Sequence, residues 1–144
     1  MSAKWFPYHG YTRPGELNYT RRPLIDVEIG VEDRTRVFKA LIDSGTEITV
    51  MDSGIGTLLG LNPENYPTGR LSGIEDWKEG YVAPISFRID GFDDMFTFRV
   101  LFIEGVGKNF DILLGQQDFF RNFRVVFERS EKRFSLERVP EQDD

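Results

Sequence analysis

The feature that most limits the fold is a pair of nine-residue runs, residues 81–89 and 95–103. The first alternates as a half-buried strand does, the second reads as another strand, and Asp90-Gly91-Phe92-Asp93-Asp94 breaks the chain between them. A period of two puts alternate side chains on opposite faces of a strand, so the pair predicts a β-hairpin with one face in a core. The three acids of the break lack the ligand series of an EF-hand and read as a turn rather than a calcium loop. Residues 24–29 alternate in the same way, and residues 37–42 form an apolar run. Residues 47–51 are β-branched, and residues 124–128 and 134–139 suit a final hairpin. Polar or glycine-bearing breaks fall at 30–34, 62–67 and 104–109. Short helices are expected from Asp52 or Ser53 as N-cap through Gly60, and over residues 116–122 with Phe119, Phe120 and Phe123 on the apolar side. The sum is roughly eight strands and one or two short helices, an all-β barrel or sandwich-like domain.

At 144 residues the chain suits one domain, and thirteen Phe residues argue for a packed core rather than disorder. Three segments are expected: an aromatic N-terminal arm over residues 1–22, a domain over 23–140 and a frayed tail over 141–144. The arm holds Trp5, Phe6, Tyr8, Tyr11 and Tyr19 without clear periodicity, and should pack along the domain or onto a partner subunit. Cysteine is absent, which excludes disulfides and thiolate chemistry and fits a reducing, cytoplasmic setting. With His9 as the one histidine, a Ser-His-Asp triad or a zinc site is hard to assemble, so no metal or cofactor is expected. No apolar run reaches the length of a membrane span, and the N-terminus lacks the apolar core of a signal peptide.

A net charge of −6 argues against a nucleic-acid partner. Residues 40–118 hold thirteen acids and five bases, so the acidity is concentrated there. Two readings stay open: a field that favours cationic substrates, or a solvated acidic surface.

The candidate for chemistry lies in the same segment. Ala40-Leu41-Ile42 leads into Asp43-Ser44-Gly45-Thr46. The run reads as a strand buried on both faces. An acid at its end is costly to bury unless neighbours hydrogen-bond it. Ser44 and Thr46 supply hydroxyls, and Gly45 permits close backbone approach. An ordinary Asx-type turn accounts for the same residues. Val50-Met51-Asp52-Ser53-Gly54 repeats the pattern, but Ile55 replaces the second hydroxyl. Residues 68–80 carry Gly69, Gly73 and Gly80 around Trp77, which suits a hairpin able to act as a lid. A second apolar run ends in glycine at Ile112-Leu113-Leu114-Gly115.

Taken in order, Leu41-Ile42-Asp43-Ser44-Gly45-Thr46, Leu71-Ser72-Gly73-Ile74 and Ile112-Leu113-Leu114-Gly115 resemble the retropepsin-like aspartic proteases, over residues 24–136. The resemblance implies a closed barrel with a glycine-bearing flap and one or two short helices. It implies a homodimeric endopeptidase that acts on a peptide or protein substrate, with Asp43 of each subunit forming a dyad. Ser44 would hydrogen-bond near the dimer axis, and Thr46 would support the outer carboxylate oxygen. Leu71, Ser72, Gly73 and Ile74 would form the substrate-covering flap. Leu113, Leu114 and Gly115 would cross behind the catalytic turn, with the glycine avoiding a clash. The chain departs from the pattern in three places. Glu47 is longer than the usual acid, Gln116 stands where an interface Arg is common, and the flap lacks a multi-glycine tip. Arg121 or Arg124 could substitute for that Arg by geometry. A competing reading is the same fold kept as an inactive dimerisation or peptide-binding module.

Overall fold

The computed structural model describes residues 2–11, 20–31, 33–72, 77–107 and 110–140. The strands in chain order are β1 (Lys4–Pro7), β2 (His9–Tyr11), β3 (Thr20–Arg22), β4 (Leu24–Val31), β5 (Arg34–Ile42) and β6 (Thr49–Asp52). They continue with β7 (Thr68–Ser72), β8 (Trp77–Ile89), β9 (Met95–Ile103), β10 (Ile112–Leu114), β11 (Phe123–Glu128) and β12 (Arg133–Arg138). Helix α1 (Ser53–Leu58) follows β6, and helix α2 (Phe119–Asn122) precedes β11.

Six strands close a barrel in the order β4-β5-β10-β6-β9-β8. The closing seam is antiparallel, with Val27 opposite Ile89 and Ile29 opposite Phe87. The period of two explains the filling. Ala83, Ile85, Phe87 and Ile89 of β8 and Phe96, Phe98, Val100 and Phe102 of β9 are buried in one core. Phe87 meets Phe98 edge to face at 4.7 Å, a favoured arrangement of two rings. The intervening residues of β6 and β9 face the other way. Val50, Leu101 and Ile103 form a smaller apolar cluster with Leu71, Val82 and Leu113. β7 pairs with β8 beside it, outside the barrel circuit.

A second sheet, in the order β1-β12-β11, packs on the barrel. Phe134 and Leu136 of β12 are fully buried in the main core. Phe6 of β1 stacks on Phe134 at 5.4 Å. Phe119 of α2 stacks on Phe123 at 4.9 Å. Among the described residues no helix is long and apolar enough to cross a membrane.

Several expectations need correction. Among the described residues there are twelve strands rather than roughly eight: three lie in the arm, where β1 pairs with β12 and β2 with β3, and β7 lies in the 68–80 segment. The arm thus packs along its own domain. Its aromatics hid the pattern, since Trp5 stays exposed while Phe6 turns inward. β8 begins at Trp77, not Tyr81. Gly80 lets this longer strand press on β9, for a Cβ there would lie 1.8 Å from the Phe102 carbonyl oxygen. β6 begins at Thr49, because residues 47 and 48 belong to a bend. α1 ends at Leu58, ahead of Gly60 with φ +75°. α2 spans only Phe119–Asn122, since residues 116–118 form a turn tied back to the Asp43 loop.

Truncating Phe134 to Ala removes the ring on which Phe6 stacks and leaves a cavity between sheet and barrel. We expect a loss of about 3–5 kcal/mol, typical of buried Phe, read as a lower urea midpoint.

Candidate active site

β5 delivers Asp43 to the end of the barrel, where three local devices fix it. The Asp43 N–H donates to the Leu114 carbonyl at 3.1 Å, which anchors the turn to β10. The Gly45 N–H donates to Asp43 Oδ1 at 2.9 Å. The Thr46 hydroxyl donates to Asp43 Oδ2 at 2.9 Å, and Thr46 is only 8% exposed. Both carboxylate oxygens are therefore oriented by the turn itself. Of the strand before it, Ala40 and Ile42 are buried, while Leu41 is only partly so.

Gly115 holds the turn from behind. A Cβ there would lie 2.6 Å from the Ile48 carbonyl oxygen and 2.8 Å from that of Thr46. These are backbone atoms, so no side chain can swing away. The Gly115 N–H donates to the Thr49 hydroxyl at 3.3 Å. The N–H groups of Gln116 and Gln117 donate to the carbonyls of Thr46 and Glu47, each at 2.8 Å. The Gln116 side-chain amide donates to the Ser44 carbonyl at 2.7 Å. Gln116 thus binds within its own chain, at the position where the resemblance calls for an interface Arg. Arg124 pairs instead with Glu137, at 3.9 Å.

In front of Asp43 lies a groove of about 500 Å³. Its apolar wall is Ile48, Leu71 and Leu113, and Glu47 and Arg70 stand beside the acid and its turn. Leu114 points instead into the main core. Of the expected flap, Leu71 reaches the groove and Ser72 is described by its backbone alone. Gly73 and Ile74 lie outside the described residues, so the flap tip is not part of this geometry. The sequence reading missed Ile48 and Arg70. An arginine next to Leu71 on a hairpin was a usable signal for the second, while Ile48 looked like ordinary strand.

The second Asp-Ser-Gly has a different fate. Asp52 Oδ2 accepts from the Gly54 N–H at 2.9 Å, which caps α1. Asp52 Oδ1 accepts from the N–H groups of Gly105 and Val106, at 3.0 and 3.4 Å. The Lys78 ammonium donates to the carbonyls of Glu104 and Gly105, at 3.0 and 3.1 Å. Asp52 and Lys78 so grip the 104–106 loop from its two sides, and the β7–β8 hairpin is fastened to the strand that follows the Asp43 turn.

Another concavity, of about 430 Å³, is walled by Phe96, Phe98, Asp118 and Arg138. Its Arg138 is engaged by Asp94 at 2.7 Å and by the carbonyls of Asn122 and Val139, so its main cation serves internal bonding. Among the described residues no group of three or more His, Asp or Glu is placed to hold a metal ion. The sequence matches no protein-family model and no curated protein.

Substituting Gly115 with Ala forces a methyl against two carbonyls. Overpacking of this kind costs about 1–3 kcal/mol, and the expected result is a destabilised fold by denaturant titration. Asp111, close to Asp52, gives a second test. Its carboxyl lies above the ordinary value of 3.8, first through burial and second through the nearby Asp52 charge. A raised carboxyl favours folding below its unfolded value, and that contribution is lost as pH rises through the folded value. Asp111→Asn should therefore raise the melting temperature slightly at neutral pH. The gain should disappear below about pH 3.8, where both forms are neutral. The effect is small because Asp111 is exposed.

Proposed function

We propose that the chain is a retropepsin-like aspartic endopeptidase that works as a homodimer, one Asp43 from each subunit. The observation that carries this reading is the Asp43 carboxylate, oriented on both oxygens by Gly45 and Thr46 at the edge of an apolar-walled groove. Peptide hydrolysis by water needs two acids in complementary states. One carboxylate takes a proton from the attacking water, and one carboxylic acid donates a hydrogen bond to the scissile carbonyl. The chain holds one Asp-Ser-Gly-Thr, and its near-copy at Asp52 is occupied with capping and loop binding. The second acid therefore comes from another copy. Two carboxyl groups about 3 Å apart share one proton, which yields both roles at once.

The substrate on this reading is an extended peptide laid along the groove. Ile48, Leu71 and Leu113 favour an apolar side chain next to the scissile bond. Metal and cofactor take no part in the proposed chemistry. A reducing, cytoplasmic setting fits a chain without cysteine.

One observation favours the competing module reading. Gln116 replaces the family's interface Arg and is bound to Ser44 of its own chain. The deciding experiment is cleavage of an unfolded protein across acid to neutral pH, for wild type and Asp43→Asn. Asp43→Asn changes both copies and so removes both carboxyl groups of the dyad, which is expected to reduce the rate by at least about 10³-fold. A pepstatin-type inhibitor should block the wild type. Cleavage that persists in Asp43→Asn rejects Asp43 as the catalyst. Peptide binding without cleavage at any pH selects the module.

A further inference from the structure

The second sheet ends in an edge that most folds guard. β11 is the outer strand of the order β1-β12-β11, and among the described residues no strand pairs with its other side. Edges are usually blunted by Lys, Pro, a bulge or a covering element. The centre of this one is Val125-Val126-Phe127, with Val126 43% and Phe127 41% exposed.

The register fixes where its backbone points. The Val139 N–H donates to the Asn122 carbonyl at 3.0 Å, on the same ladder that pairs Phe123 with Arg138. Hydrogen-bonded pairs alternate in an antiparallel ladder. Arg124, Val126 and Glu128 thus direct their N–H and C=O groups to β12, while Val125 and Phe127 direct theirs outward. Side chains alternate as well. Arg124, Val126 and Glu128 share a face with Trp5 and Ser135, and Val125 and Phe127 share one with the buried Phe134 and Leu136.

We propose that β11 pairs antiparallel with β11 of a second copy about a two-fold axis at Val126, and that this edge joins the subunits of the enzyme. Naming it as the subunit joint rests on the two-copy reading of Asp43; the strand geometry stands apart from it. In this register Val125 and Phe127 of the second copy form a hydrogen-bonded pair, twice over by symmetry, using the four backbone groups aimed outward on each strand. The exposed Phe127 ring gains a Val125 neighbour, and Val126 faces its own copy. Arg124, which also lies 3.9 Å from Glu137 of its own chain, faces Glu128, which its own Arg133 holds at 2.6 Å, again twice. No neighbouring register does this. Centring on Val125 or Phe127 sets Arg124 or Glu128 opposite Val126, and centring on Arg124 or Glu128 sets like charges together. The interface is isologous and closes at two subunits.

Sedimentation equilibrium of the full chain over a concentration series tests this, alongside the cleavage assay. Wild type should sediment at twice the chain mass of 16.7 kDa. Val125→Pro removes an outward N–H that β12 does not use, and proline is tolerated on edge strands. It should weaken the dimer while the circular dichroism spectrum stays native. Arg124→Glu sets acid against acid across the axis and should raise the dissociation constant at least about tenfold. The double change Arg124→Glu with Glu128→Arg should recover most of that loss. If Val125→Pro does not fold, the charge-swap set decides alone. A wild type monomeric throughout overturns both this inference and the two-copy enzyme. A dimer untouched by Val125→Pro and Arg124→Glu overturns the β11 joint and leaves the Asp43 reading intact. Dimer lost with cleavage retained overturns the shared dyad and keeps the joint.

Discussion

The close approach of β10 to the Asp43 turn is the constraint on which the candidate site depends. β10 is only three residues long, yet it lies parallel to β5 and antiparallel to β6. It therefore clamps the strand entering the turn and the strand leaving it. Gly115 follows at once, at a distance from the Thr46 and Ile48 carbonyls that admits no side chain. With backbone bonds from Asp43 to Leu114 and from Gln116 to Thr46, both ends of the turn are stitched to one short segment. Only then do the Gly45 N–H and the Thr46 hydroxyl have a fixed carboxylate to address. A group held this way keeps its geometry because its supports are themselves immobile.

The two Asp-Ser-Gly sequences show how little a local motif decides. Each acid accepts a hydrogen bond from the glycine N–H two residues on. What differs is the neighbour at the other oxygen. Asp43 meets the Thr46 hydroxyl and then open groove. Asp52 meets two N–H groups of a loop 53 and 54 residues away, and its binding capacity is used in holding the fold together. The fourth position separates them in the sequence: Thr46 in one, Ile55 in the other, with Ile55 turned into the core.

That contrast also marks where sequence reasoning succeeded. The alternation of residues 81–89 and the apolar strand character of 95–103 gave a hairpin because so many inward positions are Phe or Ile that burial outweighs local preference. The Gly115 contact followed from resemblance, and the Thr46 bond from a hydroxyl at suitable spacing. The arm was opaque for a physical reason. β1 is four residues long and alternates weakly, so its strand character comes from β12, far away in sequence. The apolar wall of the groove was hidden likewise: Ile48, Leu71 and Leu113 come from three separate segments and meet only when the barrel closes. The Asp52–Gly105–Lys78 grip has no local signature at all.

The proposed half-site and the bare strand edge bear on each other. On the proposed reading, a chain with one oriented acid gains nothing chemically from being alone, since peptide hydrolysis by this route needs two carboxyl groups in complementary states. Glu47, the other acid at the groove, is exposed on the same turn and has no partner holding its side chain among the described residues. A second acid, as proposed, would have to come with geometry as firm as the first. Loose encounter cannot supply that, because a misplacement of about 1 Å can cost two orders of magnitude in rate. A strand-to-strand joint sets register in whole residues, so that slippage by one position turns every side chain to the wrong face. α2 runs directly into β11, and the turn before α2 is bonded to the Asp43 loop. A joint made at β11 would therefore be transmitted to the acid through about a dozen residues of continuous, hydrogen-bonded chain. On this proposal the same rigidity that positions Asp43 within one subunit also positions it against its twin.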